Sequence, residues 1–188
     1  MTTLIECIPN VSEGRRPEVV AAIRNAAVSA GPGVLLLDWT SDADHNRSVL
    51  TFLGDGPALL RAMEAMVDET LRHVDLTKHE GEHPRLGAVD VIPFVPIRGA
   101  TTADCVALAK TLAARLAGKH GLPVYLYEDA ATSEARRNLA TIRKGEFEGL
   151  AEKMKSPDWK PDFGPDTPHP SAGATVVGAR SPLVAYNI

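Results

Sequence analysis

The residues with the clearest capacity for chemistry lie in one stretch, His79 to Pro96, which reads HEGEHPRLGAVDVIPFVP. Its first seven positions hold two histidines, two glutamates and an arginine, and the apolar run from Val89 to Val95 follows soon after. An imidazole changes its charge near neutral pH, so it can accept a proton from a substrate. A short polar segment that leads into a buried strand can hold such a group rigidly beside a cavity. We therefore predict that this stretch is the active-site segment.

Within the active-site segment, His83 is the predicted general base. Pro84 has a fixed φ and restricts the residue before it, while Glu82 and Arg85 flank the imidazole. Such a base suits the removal of a proton from a nitrogen or oxygen nucleophile. The alternative is that His83 is an exposed loop residue without a chemical role.

The same letters also match H-E-x-x-H, the motif of zinc peptidases, from His79 to His83. In those enzymes a helix places both imidazoles on one face, and the glutamate polarises the bound water. Pro84 pushes His83 out of the helical region, and Gly81 weakens a helix from within. We therefore expect no helix and no metal here. A zinc hydrolase built on His79-Glu80-x-x-His83 is the remote alternative.

A second polar segment, Asp38 to Arg47, reads DWTSDADHNR and separates two apolar runs. Val34 to Leu37 is typical of a central strand that ends at Asp38, and the alternation from Ser48 to Leu53 predicts a strand paired with it across the loop. Turn chemistry alone explains the Asp and Asn residues. Arg47 is the exception, since it would stand at a strand entrance and face whatever the loop encloses.

The elements that position these residues follow the order strand, helix, strand, strand, helix, strand. This order is the split βαβ unit of the ferredoxin-like fold. The predicted fold class is therefore α/β in the α+β sense, with a ferredoxin-like βαββαβ core in which helices pack on one face of a mostly antiparallel sheet. The predicted strands cover residues 3–8, 34–37, 48–53 and 89–95, and the predicted helices begin at Pro17 and after Gly54.

Further helices and a C-terminal strand extend this core. A helix is predicted over 101–121, a strand over 124–127, short helices over 134–142 and 147–154, and strand-like runs at 174–177 and 181–188. The proline-rich segment 155–172 reads as a linker, or as a rigid loop that lines a pocket. Trp159 and Phe163 favour the rigid loop, because large aromatic side chains are unfavourable in a solvent-exposed linker.

The composition of the chain limits which binding partners and which cellular compartment we expect. The 188 residues are 44% hydrophobic, with a formal net charge of -4 and a pI near 5.9, which argues against nucleic acid or an anionic membrane as the main partner. Cys7 and Cys105 lie in apolar surroundings and are predicted to be buried free thiols. The sequence shows no signal peptide and no run of 18 apolar residues, so we expect a cytoplasmic protein.

Several long blocks, all in one order, give the chain a family resemblance. It resembles the N-terminal subdomain of formiminotransferase (glutamate formimidoyltransferase), a folate-dependent enzyme of histidine breakdown. The blocks are ECIPNVSEGR at 6–15, NRSVLTFLG at 46–54, GEHPRLGAVDVIPFVPIRG at 81–99, PVYLYEDA at 123–130, IRKGEFEGL at 142–150, DWKPDFGP at 158–165 and GATVVGAR at 173–180.

The resemblance implies transfer of a formimino group from N-formimino-L-glutamate to N5 of the co-substrate tetrahydrofolate, with release of L-glutamate. The catalytic histidine of the family lies in the GEHPR block, which is His83 in this chain. The resemblance therefore implies that His83 lines an open folate cleft and takes the proton from N5. Both substrates carry carboxylates, and on that chemical ground Arg47 and Arg85 are predicted to bind them. The folate-contacting loop that the resemblance implies consists of Gly164, Pro165, Asp166, Thr167, Pro168, His169, Pro170, Ser171, Ala172 and Gly173.

The resemblance also implies a domain division, with residues 1–177 as the N-terminal subdomain and 178–188 as a C-terminal strand that begins a missing second subdomain. Members of the family hold their substrates between two α/β subdomains. A homodimer or a separate C-terminal subdomain is therefore the expected partner. The stretch PDTPHPSAG at 165–173 lacks the aromatic residue that some members carry before the glycine. A non-catalytic module that binds folate or a partner is the competing hypothesis.

Overall fold

A mixed sheet runs through the protein, whose computed structural model describes residues 3–183. Within that range the strands are β1 (Leu4–Cys7), β2 (Asn10–Val11), β3 (Val34–Asp42), β4 (Arg47–Gly54), β5 (Val89–Arg98), β6 (Val124–Glu128) and β7 (Thr175–Ala179). The α-helices are α1 (Pro17–Ser29), α2 (Gly56–His73), α3 (Thr102–His120), α4 (Leu139–Arg143) and α5 (Glu146–Lys153). No helix in the described range is long and apolar enough to cross a membrane.

The strand order confirms the predicted fold class. Across the sheet the strands lie in the order β3, β4, β1 with β2, β5, β7 and β6. β1 and β2 act as one interrupted strand, because both pair antiparallel with β4 on one side and with β5 on the other. β3 and β4 form the predicted antiparallel hairpin, which completes the ferredoxin-like core. β7 then adds to β5 in parallel and β6 adds to β7, so the sheet becomes mixed.

Local sequence explains where the long helices begin and end. Asp55 caps α2 by accepting a hydrogen bond from the backbone of Ala58. Thr101 and Asp104 form a reciprocal capping box at the start of α3. Gly121 ends α3 in the left-handed conformation, with φ of 62°. These signals are local, and the predicted helices at Pro17, after Gly54 and after Thr101 are confirmed.

The two faces of the sheet carry two separate cores. The first core lies under α1, α2 and α3, and the second lies under α4 and α5. Alternation along β6 shows the division, since Val124 and Leu126 face the first core while Tyr125 and Tyr127 face the second. The short helices α4 and α5 thus cover the face opposite to that of the three long helices, at the β5, β7 and β6 end only.

The remaining part of that second face is uncovered in residues 3–183. Along β4, Leu50 and Phe52 are buried under the long helices, whereas Val49, Thr51 and Leu53 on the other face are only half-buried. We name this surface, with Arg47 at its end, the open sheet face. It is bounded by β3 on one side and by α4 and α5 on the other.

The predictions for the segment 34–47 need two corrections. β3 is an edge strand rather than a central one, and Leu35 and Leu37 are 62% and 55% exposed. β3 also continues to Asp42, so the predicted loop of ten residues shrinks to the turn at 43–46. A continuous apolar run indicates burial on both faces, but here one face is open and the strand has a single neighbour.

The proline-rich segment is a packed loop rather than a linker. Arg136, which is buried, donates to the backbone carbonyls of Asp158 and Lys160 at 2.8 and 2.6 Å and to the carboxylate of Asp162 at 2.9 Å. Phe163 joins the first core and pairs with the backbone of Val124. The segment is therefore fixed on the domain through one arginine and one aromatic side chain.

Two further predictions concern the cysteines and the C-terminus. Cys7 and Cys105 are buried free thiols, as predicted, and burial raises the pKa of both. β7 runs through the boundary predicted between residues 177 and 178 and ends at Ala179, and residues 180–183 are not in a strand. Residues 184–188 of the predicted C-terminal strand lie outside the described residues. The beginning of a second subdomain at 178–188 stays a prediction.

Replacement of Arg136 tests whether one buried ion pair holds the proline-rich segment. Arg136→Ala should lower the free energy of unfolding by about 3 kcal/mol, because Asp162 stays buried without its partner. The control is Arg137→Ala, whose exposed pair with Asp129 should contribute less than about 1 kcal/mol. Urea unfolding measures both values. Equal stability of the two variants would contradict the proposed anchor.

Candidate functional site

The active-site segment has no helical structure before β5. Residues 79–88 follow a short 3₁₀ turn at Leu76–Lys78 and reach Val89 in an irregular, extended path. The sequence prediction that H-E-x-x-H forms no helix is therefore confirmed. His79 Nε2 donates to the backbone carbonyl of Asn46 at 3.1 Å. Among residues 3–183, no group of three or more His, Cys, Asp or Glu side chains is placed to hold a metal ion.

His83 lies in a polar cluster, not on the wall of an open cleft. His83 is only 5% exposed. It does not line the cavity of about 440 Å³ that His79 and Glu80 border. Nδ1 lies 3.5 Å from Nη1 of Arg47, and Nε2 lies 3.5 Å from Oδ2 of Asp90. A guanidinium can only donate, so Nδ1 is the acceptor and the ring proton is on Nε2, facing the carboxylate. The lone pair of Nδ1 therefore points towards Arg47.

Asp90 is the buried anion of this cluster, and the sequence predictions did not include it. Oδ1 accepts a hydrogen bond from the backbone of Leu86 at 2.7 Å, and Oδ2 pairs with Arg143 of α4. Burial opposes ionisation of this carboxylate, but His83, Arg143 and the Leu86 N–H outweigh it and hold the pKa below its usual value. A signal was available, because Asp90 is the one charged residue in the apolar run 89–95.

Arg47 begins β4 on the open sheet face, half-buried beside His83. Within the described residues no carboxylate lies within ion-pair distance of it. Burial lowers the pKa of Arg47 and the charge of Arg143 adds to this effect, while Asp90 and Asp42 oppose it. An arginine without an ionic partner can receive an anionic ligand, which is what its predicted role requires.

Arg85 has a different environment from the one predicted. Arg85 is buried. Its guanidinium donates hydrogen bonds to the carboxylate of Glu148 at 2.6 and 3.2 Å and to that of Glu146 at 3.0 Å. Its backbone carbonyl also accepts from Phe147 N. These contacts fasten the first turn of α5 to the active-site segment. With both Nη groups paired and Nε buried, Arg85 is placed as a structural anchor, and the geometry gives no support to substrate binding by this residue.

Asn46 joins three loops at the edge of the site. Its Oδ1 accepts from the backbone of Gly14 at 2.9 Å, and its Nδ2 donates to the carbonyl of Glu80 at 2.8 Å. Its φ of 47° lies in the left-handed region, which Asn tolerates better than most residues. The residue therefore holds the turn before Arg47 against the segment that carries His83.

The predicted folate loop, 164–173, is ordered by its own backbone. His169 and Gly173 exchange two backbone hydrogen bonds of 2.9 Å, and Ala172 O accepts from Ala88 N. The end of the loop therefore packs against residues 86–88, near His83 in sequence. Its exposed tip lies elsewhere, because Asp166 to Pro168 line a cavity of about 510 Å³ with Met154, Lys155 and Lys160. The structure brings only the C-terminal end of this loop to the active-site segment.

Comparison with known proteins gives one consistent match. The family described as "Formiminotransferase domain, N-terminal subdomain" matches residues 4–180. The chain is 50% identical over its full length to "Glutamate formimidoyltransferase" of Streptococcus pyogenes serotype M1, and covers 62% of that protein. It is 46% identical over its full length to "Formimidoyltransferase-cyclodeaminase" of Mus musculus, and covers 35% of it. Over 99% of its length it is 45% identical to "Glutamate formimidoyltransferase" of Thermoplasma acidophilum, of which it covers 61%.

Two variants at position 46 test its role as a junction. Asn46→Gly should lower the free energy of unfolding by about 1–3 kcal/mol, because two backbone groups lose their partner. Asn46→Ala should cost about 1 kcal/mol more, since alanine is strained at this positive φ. His45→Ala, in the same turn, is the exposed control. Denaturant unfolding would refute the account if alanine proved as stable as glycine.

The lowered pKa of Asp90 predicts a pH-dependent contribution to stability. A carboxylate whose folded-state pKa is depressed stabilises the protein fully above its unfolded pKa of about 4, and the contribution is lost as the pH falls through the folded value. The gap in unfolding free energy between the native chain and Asp90→Asn should therefore be constant near neutrality and shrink below about pH 4. Exposed Asp38→Asn serves as the control. A gap independent of pH would contradict this assignment.

Proposed function

The chain belongs to the family of formiminotransferase N-terminal subdomains, and on this premise we propose that it serves in folate-dependent formimino transfer. The proposed reaction moves the formimino group of N-formimino-L-glutamate to N5 of tetrahydrofolate and releases L-glutamate. The names of relatives at 45–50% identity support this assignment. The chain spans 62% or less of those three proteins. We therefore propose the reaction for this chain acting together with a second part of the transferase, the predicted C-terminal subdomain.

The observation that carries the proposal is the pairing of His83 with Asp90. Nε2 of the imidazole lies 3.5 Å from a buried, ionised carboxylate, and Nδ1 could accept a proton once Arg47, 3.5 Å away, is displaced. In the proposed mechanism Asp90 fixes the tautomer and stabilises the imidazolium that forms, which is how a carboxylate assists a histidine base. No other histidine of the described chain contacts a carboxylate as deeply buried as this one.

In the proposed step, His83 Nδ1 takes the N5 proton as the N5 lone pair bonds to the formimino carbon. The bond between that carbon and the glutamate nitrogen then breaks, and the imidazolium returns the proton to the departing nitrogen. One proton is taken and one returned, so the histidine ends as it began. This use of one group first as a base and then as an acid is general for acyl-like transfer.

Arg47 controls access to the base in this proposal. Its guanidinium lies at the Nδ1 side of His83, at the margin of the open sheet face. A substrate carboxylate that binds Arg47 would draw the guanidinium away from the ring and uncover Nδ1. We propose that the substrates and the second part of the transferase occupy the open sheet face, next to half-buried Val49 and Thr51.

A non-catalytic module that binds folate or a partner is the second candidate. The observation in its favour is the burial of His83, which in the described chain is almost wholly withdrawn from solvent. The two candidates differ in whether the protein needs the imidazole for turnover or only for its fold.

Replacement of His83 decides between them. In an assay with N-formimino-L-glutamate and tetrahydrofolate, the chain supplemented with the second part of the transferase should lose about 10²–10⁴-fold in kcat in His83→Gln, the usual contribution of a general base. The control is His45→Gln, an exposed histidine of the β3–β4 turn, which should keep full activity. Equal turnover in both variants would remove His83 from the mechanism. Folate binding without turnover in the native chain would favour the binding module.

A further inference from the structure

A small cavity lies beside the proposed active site, at the junction of α4 and α5. Its volume is about 180 Å³. Pro84 follows His83 directly and Arg143 pairs with Asp90, so two of its walls belong to residues that hold the catalytic cluster. None of the site residues predicted from the sequence lines it. The lining residues are Pro84, Ala140, Arg143, Lys144, Gly145 and Glu146.

The walls of this cavity carry more positive than negative charge. Lys144 is exposed and has no carboxylate within ion-pair distance in the described part of the chain. Arg143 uses Nη2 on Asp90, while its Nε is buried and has no hydrogen-bond partner. The one acidic wall residue, Glu146, is engaged by Arg85 at 3.0 Å. The guanidinium group of Arg143, with Nη2 as its one ion-paired nitrogen in the described chain, and the unpaired Lys144 therefore belong to the same small cavity.

The two cations of the cavity wall, Arg143 and Lys144, act on other cations of the domain. Burial, together with the charge of nearby Lys144, lowers the pKa of Lys153 to about 8. The charge of Arg143 likewise lowers the pKa of Arg47, in addition to the effect of burial. Lys153 Nζ donates to three carbonyls at the end of α4, at 2.9, 2.6 and 3.1 Å. Its ammonium group thus lies against the negative end of this helix. An anion bound here would relieve this repulsion without meeting exposed carbonyl oxygens.

The backbone at this junction is held in an unusual shape. Gly145 has φ of 92° and Glu146 has φ of 54°, two successive residues in the left-handed region. A non-glycine residue there costs energy and persists only when its surroundings fix it. Arg85 supplies that support through its pairs with Glu146 and Glu148. The junction is thus anchored to the active-site segment.

We propose that Arg143 and Lys144 form a carboxylate-binding subsite that receives the glutamate portion of the substrate. The identity of the ligand as glutamate rests on the proposed function, whereas the chemistry of the site, a carboxylate, rests on the charges around the cavity. Arg143 offers its guanidinium, of which only Nη2 is engaged by Asp90, to one carboxylate oxygen, and Lys144 offers its ammonium to the other. The subsite would place the nitrogen that leaves with glutamate close to the histidine that must protonate it.

Titration of the isotope-labelled chain with L-glutamate tests the subsite directly by NMR. Saturable shifts should appear at the backbone amides of 144–146. Lys144→Met should weaken the binding by about tenfold, the effect of one charge-assisted contact. The control is Lys110→Met, an exposed lysine on α3 whose replacement should leave the affinity unchanged. L-glutamine, which lacks one carboxylate, should bind more weakly than L-glutamate.

Shifts that do not saturate, or that are equal in Lys144→Met and Lys110→Met, would overturn the subsite. Its failure is distinguishable from failure of the proposed function. If His83→Gln abolishes turnover while L-glutamate leaves 144–146 unperturbed, the function stands and the subsite is refuted. If L-glutamate binds at 144–146 but no formimino transfer occurs with the second part present, the subsite stands and the proposed function is refuted.

Discussion

The charge of Asp90, buried inside a mostly apolar strand, is the constraint on which the rest of the site depends. A carboxylate at this depth is stable only when hydrogen bonds and opposite charges replace the water it has lost. The protein provides a backbone N–H from Leu86, the guanidinium of Arg143 and the imidazole of His83. Leu86 and His83 come from the loop before β5 and Arg143 comes from α4, so satisfying one charge draws that loop and α4 onto β5.

The layers of the fold determine where this cluster meets the solvent. Three long helices cover one face of the sheet except along the outer part of β3, while α4 and α5 cover the other face only around β5, β7 and β6. Asp90 lies under the margin of this partial cover, and Arg47 lies at the end of the open sheet face next to it. His83 is therefore buried beside Arg47 instead of standing in an exposed cleft.

Four arginines illustrate how burial and pairing assign roles to identical side chains. Arg136 and Arg85 are buried, and their Nη groups are paired with carboxylates and carbonyls, so they hold the proline-rich segment and α5 in place. Arg143 has a single buried ionic partner, Asp90, and Arg47 has no ionic partner in the described chain. An arginine with fewer internal carboxylate partners is thus more available to bind a ligand. The local sequence around each arginine does not show how many such partners it has.

The sequence by itself determined the order of the elements, the caps of the long helices, the family and the segment that carries His83. These properties are local or are carried by contiguous blocks: Asp55 and Thr101 act on their own helices, and Pro84 acts on its neighbour. Only the tertiary structure decided that β3 lies at an edge, that Arg85 is occupied by Glu146 and Glu148, and that Asp90 and Arg143 join His83. Those outcomes depend on which side chains, up to about sixty positions apart, compete for the same buried charge, and that competition is settled only when the layers of the fold pack together.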